Sequence, residues 1–536
     1  MRFLLIFHSP FRTLSLGLLA SISGVLGTAS PGSTAEQVRL QFHQFSREVS
    51  ISSLAKFSRS GEVDPTLRST LRYLKPAAQQ RLRAALSRSI PLTPSTAAKF
   101  LSTDLGKSAL KQLAKVMAQP PEIAEPALSS ALILGAAKVN ALSFIDVLET
   151  YPTPLVPINV AALLSLGKEL KQQFNLQNTL FTQLSQMLGQ PSNGPALDKL
   201  AIPGDETFTE TPFQFKGSES LMITAVAYLP NSATPKSPSP LIVIAPGLDT
   251  DMNVLLYAGK NLASHGYAVA ALDFPFTSKT AVKAVIKGTS KIPAPNSWYL
   301  QPISVSELIN EVELRWGKRV NSDQVGAIGQ SLGGYTVMAL AGAELDWDHL
   351  VKSCEPMDDP NRVVLDPAVV WQCDAPSQVV ENKSFRDPRV KAVLAINPVT
   401  NPIFSPATLK KVNIPILMIS GSNDIIAPPI SQQIIPFTSL VNSDSRLVLQ
   451  NKGTHLSFLN GRGKFPKFIL GPDRPLARLE LKGLAKAWFN QHLRSGADQF
   501  SSKSSLMGST PLKLLMLSTF SLEQLKNTEQ GLREFP

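Results

Sequence analysis

Few backbones can accommodate Gly329-Gln330-Ser331-Leu332-Gly333. The pentapeptide is a G-x-S-x-G pattern. It is entered by the apolar run Val325-Gly326-Ala327-Ile328 and left by Gly334-Tyr335-Thr336-Val337-Met338-Ala339-Leu340-Ala341. The first run reads as the end of a buried strand, the second as a helix. A strand that turns sharply into a helix at a serine is a nucleophile elbow, in which strained backbone lifts the hydroxyl above the sheet. Glycines are required there because strand and helix pass too closely for a Cβ. The pattern predicts an α/β fold and serine-dependent hydrolysis.

The chain has 536 residues, too many for one ordinary core, so more than one domain is expected. Residues 1–35 read as a secretory signal. Arg2 and Arg12 supply positive charge, Thr13 to Leu26 is a short apolar run, and small residues follow, with cleavage after Ala29 or Ala35. An uncleaved anchor is the alternative. Residues 36–174 are expected to form an all-helical domain. Asp64-Pro65, Lys75-Pro76 and Thr93-Pro94 mark helix starts, and Ala127–Val139 reads as a buried helix. A connector over 175–205 leads to a catalytic domain over 206–495. There, strands at Phe208–Phe215, Leu221–Leu229, Leu241–Ile244, Tyr267–Leu272, Val390–Ile396, Ile414–Ile419 and Arg446–Leu449 alternate with helices, the pattern of a mostly parallel sheet covered on both faces. An irregular stretch, 344–389, reads as a cap insertion. It holds the only two cysteines, Cys354 and Cys373, which a disulfide is expected to join if the protein is exported. Residues 496–536 form a tail whose apolar Pro511–Phe520 either docks on the protein itself or touches a membrane.

A serine hydroxyl needs a base, and the base needs an orienting carboxylate. On this type of sheet they follow in the order Ser, Asp or Glu, His. Of six histidines, only His455 lies in a loop just after the last strand of the sheet. Asp424 closes the turn after the buried strand Ile416–Ile419, where active-site groups of open α/β sheets gather. Asp273 also follows a strand but precedes Ser331. The developing oxyanion needs main-chain donors, one from Leu332 and one from the loop after Leu241–Ile244. Pro246 has no N–H, which leaves Gly247 or, preferably, Leu248. The expected catalytic set is Ser331, Asp424 and His455, with Leu332 and Leu248 at the oxyanion and no metal or organic cofactor.

Several stretches resemble a known group. Pro240–Ile244 with Pro246-Gly247-Leu248, then Leu262–Ala270, then Gly329–Tyr335, are similar to the dienelactone hydrolase and platelet-activating-factor acetylhydrolase group of α/β-hydrolases. The N-terminal region, through Val49–Leu54, Ala98–Gly106 and Tyr151-Pro152-Thr153, resembles an uncharacterised domain that precedes such hydrolases in cyanobacteria. The resemblance implies the α/β-hydrolase fold and action on carboxylic esters, among them lipid or phospholipid esters. Two departures stand beside the machinery. Gln330 replaces the usual histidine before the nucleophile, and Ala245-Pro246-Gly247 replaces the usual Ser-His-Gly. Both are expected to alter the pocket wall.

The charge of +12 is spread as isolated Lys and Arg, with no basic stripe interleaved with aromatics, so nucleic acid is not expected as a partner. The expected partner is a small-molecule or lipid ester. Membrane contact and oligomeric state are left open, and the signal places the protein in a periplasmic, lumenal or extracellular space. The competing readings are a silent binding protein on a hydrolase scaffold and an amidase or peptidase. Trp347 and Trp371 either line an acyl site or pack the cap.

Overall fold

The computed structural model describes residues 35–42, 44–72, 75–102, 104–139, 141–169, 197–281, 297–373, 382–461, 470–494, 505–507 and 514–518. Residues 1–34 of the expected signal, most of the connector and most of the tail lie outside them, as do His8 and His43.

The N-terminal region is not all-helical. Strands β1 (Gln37–Phe42) and β2 (Phe45–Ser50) form an antiparallel hairpin. A second short pair, β3 (Ser89–Pro91) with β4 (Ala141–Ser143), lies further on. β5 (Leu155–Asn159) then runs parallel to β1, giving the order β2-β1-β5. The physical reason is alternation: Val38 and Val49 are buried on one face of the hairpin, and Val156 and Ile158 repeat the period of two on β5. The three proline-marked helix starts are present. Asp64 accepts the Leu67 N–H at 2.7 Å and Thr93 accepts the Thr96 N–H at 3.3 Å, each satisfying an orphan donor of the first turn. The alanine-rich helix extends back to Pro121 and ends at Val139, with Ala124 and Ala131 wholly buried.

The second unit is built on ten strands: β6 (Phe208–Lys216), β7 (Met222–Pro230), β8 (Ser239–Ala245), β9 (Ala268–Asp273), β10 (Val320–Gln330), β11 (Val390–Ile396), β12 (Ile416–Gly421), β13 (Arg446–Gln450), β14 (Ser505–Met507) and β15 (Leu514–Ser518). Their order is β14-β15-β13-β12-β11-β10-β8-β9-β7-β6. The six from β9 to β13 are parallel, and the strands at both edges are antiparallel. The described part of the apolar tail stretch thus docks on the protein itself, β15 pairing with β13 from Arg446↔Ser518 to Gln450↔Leu514.

The apolar runs of the central strands follow from burial on both faces. On β8, Leu241, Val243 and Ala245 face one core, while Ile242 and Ile244 face the other. The first core is closed by helices Ser297–Trp316 and Leu332–Leu340, the second by helices Leu256–Ala263 and Arg474–Leu493. Gly326 is needed because a Cβ there would come 2.5 Å from the Phe489 ring. Among the described residues no helix is long and apolar enough to cross a membrane.

The insertion after the elbow helix carries helices Trp347–Cys354 and Pro367–Cys373, joined by a Cys354–Cys373 disulfide. The loop between them docks on the N-terminal unit. Lys115 Nζ donates to the carbonyls of Met357 (2.6 Å), Asp359 (3.2 Å) and Arg362 (3.0 Å). The Val363 and Val364 N–H groups donate to Ser165 Oγ and Gln112 Oε1, and Val363 is wholly buried in the N-terminal core.

Where this loop returns, Asp366 receives the Val369 N–H, the Gln432 side-chain amide at 3.0 Å and the Ser431 hydroxyl. Burial outweighs these donors and pushes its carboxyl from 3.8 up to about 6. The folded state therefore keeps this proton at pH values where the unfolded chain has lost it. Stability falls as pH rises from about 4 to about 6, by on the order of 2–3 kcal/mol from this group. Asp366→Asn is expected to flatten that part of the profile. Urea unfolding at stepped pH checks it, and equal slopes in the two proteins would refute it.

Candidate active site

The nucleophile candidate sits where the glycine pattern requires. Ser331 follows β10 with φ 56° and ψ −117°, a left-handed φ that a non-glycine residue holds only under strain. A Cβ on Gly329 would meet the Gly333 carbonyl oxygen at 1.9 Å, and one on Gly333 would meet the Ala245 oxygen at 2.0 Å. The turn therefore tolerates nothing larger at either place. The Ser331 N–H donates to Ile396 O at 2.9 Å, and the Val399 N–H donates to Ser331 O at 3.2 Å, so the elbow is pinned to the end of β11.

The helix behind Ser331 is fixed by aromatic and polar packing. Tyr335 OH donates to the Trp298 carbonyl at 2.6 Å, its ring stands edge-on to Trp298 at 4.7 Å, and it stacks on Phe404 at 5.2 Å. Trp371 continues this cluster, 4.6 Å from Trp298. Trp347 is buried, and its indole N–H donates to Tyr299 OH at 2.8 Å. Both tryptophans thus take part in packing. Thr336 Oγ1 donates to Gln301 Oε1 at 2.7 Å, Gln301 Nε2 donates to Thr277 Oγ1 at 2.8 Å, and the Thr277 carbonyl accepts the Asp249 N–H at 2.9 Å. This buried chain ties the elbow helix to the loop after β8.

That loop passes beside the serine. A Cβ on Gly247 would lie 3.1 Å from Ser331 Cβ. Thr250 Oγ1 donates back to Gly247 O at 2.6 Å, shaping the turn that carries Leu248. Leu248 itself is half-buried against the sheet core.

Asp424 and His455 are brought together. His455 Nδ1–H donates to Asp424 Oδ2 at 2.7 Å, with both side chains buried. The other carboxylate oxygen accepts the Ile426 and Ala427 N–H groups at 2.8 and 2.9 Å, which fixes the plane of the carboxylate. The two loops are also joined through their backbones, the Asn423 N–H donating to Gly453 O at 2.7 Å. Among the described hydrogen bonds none links Ser331 Oγ to the His455 ring; such links are often loose before substrate binds. Asp273 is occupied elsewhere. It accepts the Met252 N–H at 2.6 Å, and burial raises its carboxyl above the ordinary value. His265 Nε2 lies 3.0 Å from Ile202 O, and His492 packs edge-on against Trp488.

Gln330, expected to alter the pocket wall, reaches the main chain of the candidate base. It is 1% exposed, and its Nε2 donates to the His455 carbonyl at 3.2 Å. Asn397, which sequence reading passed over, lies at the same place. Its amide donates to Thr454 O (3.2 Å) and His455 O (3.4 Å). An Asn-Pro pair just after the apolar run of β11 was the available signal, and it reads equally well as a plain turn.

Residues 34–159 match the model of a family described as "Alpha/beta hydrolase of unknown function (DUF1400)". The matched stretch is the N-terminal unit, ahead of the sheet that carries Ser331, Asp424 and His455. No curated protein matches the chain. The family description and the sheet order agree on a general α/β hydrolase.

Proposed function

We propose that this α/β hydrolase is a serine esterase that cleaves carboxylic esters, lipid esters included, through an acyl-enzyme on Ser331. The observation that carries the reading is the buried 2.7 Å His455–Asp424 pair, tied through the His455 carbonyl to the residue next to a strained serine. With Nδ1–H committed to Asp424, the lone pair of His455 is on Nε2, the atom a serine proton must reach.

The steps follow from these groups. Ser331 Oγ bonds to the ester carbonyl carbon as its proton passes to His455 Nε2. The Leu332 and Leu248 N–H groups receive the oxyanion, each donor of this kind supplying about 3 kcal/mol at the transition state. The carbonyl re-forms, the C–O bond to the alcohol breaks, and the imidazolium returns its proton to the departing oxygen. Water, deprotonated by the same nitrogen, then releases the acid and frees Ser331. Every group used belongs to this chain. The Cys354–Cys373 disulfide supports an exported, oxidising location.

The test is labelling with a fluorophosphonate probe, followed by peptide mapping and a series of p-nitrophenyl esters of increasing acyl length. The reading expects one adduct, on Ser331, and turnover that peaks at one range of chain length. A folded protein that neither labels nor turns over any ester would instead be a non-catalytic scaffold.

A further inference from the structure

Asn397 sits between the loops that carry the three candidate catalytic residues. Its side chain is wholly buried and reaches two of them. Nδ2 donates to the carbonyls of Thr454 and His455, and Oδ1 accepts the Gly421 N–H at 2.8 Å, at the end of the strand leading to Asp424. Its own N–H donates to Ile419 O at 2.7 Å. Ile396, just before it, and Val399, two residues after it, hold the main chain of Ser331. Asn397 has φ 42°, a left-handed value that asparagine tolerates better than most residues.

Gln330 reaches the same carbonyl from the other side. Its Nε2 donates to His455 O, and its buried Oε1 has no partner among the described residues and rests against Gly247. An amide flip would set oxygen against oxygen at His455, so the orientation is fixed. An unpaired buried oxygen is costly.

We propose that Asn397 and Gln330 are positioning residues for the base. Two amides, one on the nucleophile strand and one on its neighbour, clamp the His455 carbonyl and so set the imidazole relative to Ser331. The proposal rests on the serine-hydrolase reading above. Neither residue touches substrate; each acts through the backbone of His455. A carbonyl clamp needs donors. A carboxylate of the same shape would repel the Thr454 and His455 oxygens, whereas a protonated carboxyl would still donate.

The experiment compares wild type with Asn397→Ala, Asn397→Asp and Gln330→Met, reading kcat, KM, probe-labelling rate and the pH profile on a p-nitrophenyl ester. Thermal unfolding reports whether each variant folds. A displacement of the base by about 1 Å is expected to lower kcat for Asn397→Ala about a hundredfold, with KM within twofold. Asn397→Asp is expected to lose kcat as pH rises, over a range where wild type still gains, and to recover toward acid. Gln330→Met keeps the volume, removes the donor, and is expected to lower kcat and labelling together. Folded variants with wild-type kcat and an unshifted pH profile would overturn the proposal. If Asn397→Ala fails to fold, the Gln330→Met rate and the Asn397→Asp profile decide it alone. Ser331→Ala runs beside them. Turnover surviving in that variant overturns the serine-hydrolase reading itself, while loss there with normal Asn397 and Gln330 variants overturns only the clamp.

Discussion

Ser331→Ala is expected to lower kcat on any ester substrate by about a millionfold, with KM little changed. Without Oγ no acyl-enzyme forms, and His455 has no proton to take. What remains is binding and the two main-chain donors at Leu332 and Leu248, which the substitution leaves in place. Alanine fits the φ of 56° about as well as serine does, and the side chain is already buried, so the fold is expected to survive. Steady-state turnover with a long end point measures the residue, and an unchanged unfolding temperature shows that the loss is chemical. A variant within tenfold of wild type would mean that another group attacks the ester.

Asp424→Asn is expected to cost about ten-thousandfold in kcat while leaving the fold intact. The side-chain oxygen can still accept the Ile426 and Ala427 N–H groups, so the amide NH2 is turned toward His455 Nδ1. A donor facing that nitrogen makes it the acceptor, and the ring proton moves to Nε2. The serine then meets an N–H where it needs a lone pair. Loss of probe labelling together with loss of kcat checks this, since both require an activated Ser331. Asp273→Asn is the comparison. Its carboxyl holds Met252, so an equal loss there would assign the orienting role to Asp273 instead.

The sequence reading located what is local or directional. The elbow is legible because two glycines and a serine are forced by contacts within a few residues. The central strands are legible because burial on both faces makes them continuously apolar. His455 and Asp424 followed from chain order and from the ends of strands. The N-terminal sheet escaped because β1 and β5 meet across more than a hundred residues of mostly helical chain, and β5 carries Pro157 in its middle. The docking loop escaped for another reason. Met357 to Arg362 is polar and charged, the composition of a solvent loop, yet Lys115 holds it by carbonyl oxygens that carry no side-chain signature. Asn397 and Gln330 were illegible on the same ground, since both grip main-chain oxygens.

The loop that Lys115 holds bears on the order in which the protein is built. Val363 belongs, by position, to the middle of the second unit, but it fills the N-terminal core. Domains generally complete themselves in the order they are synthesised. Here the first unit is made with a vacancy that closes only when a segment about two hundred residues beyond β5 arrives. The front of the molecule begins first and finishes late, on a piece lent by the back.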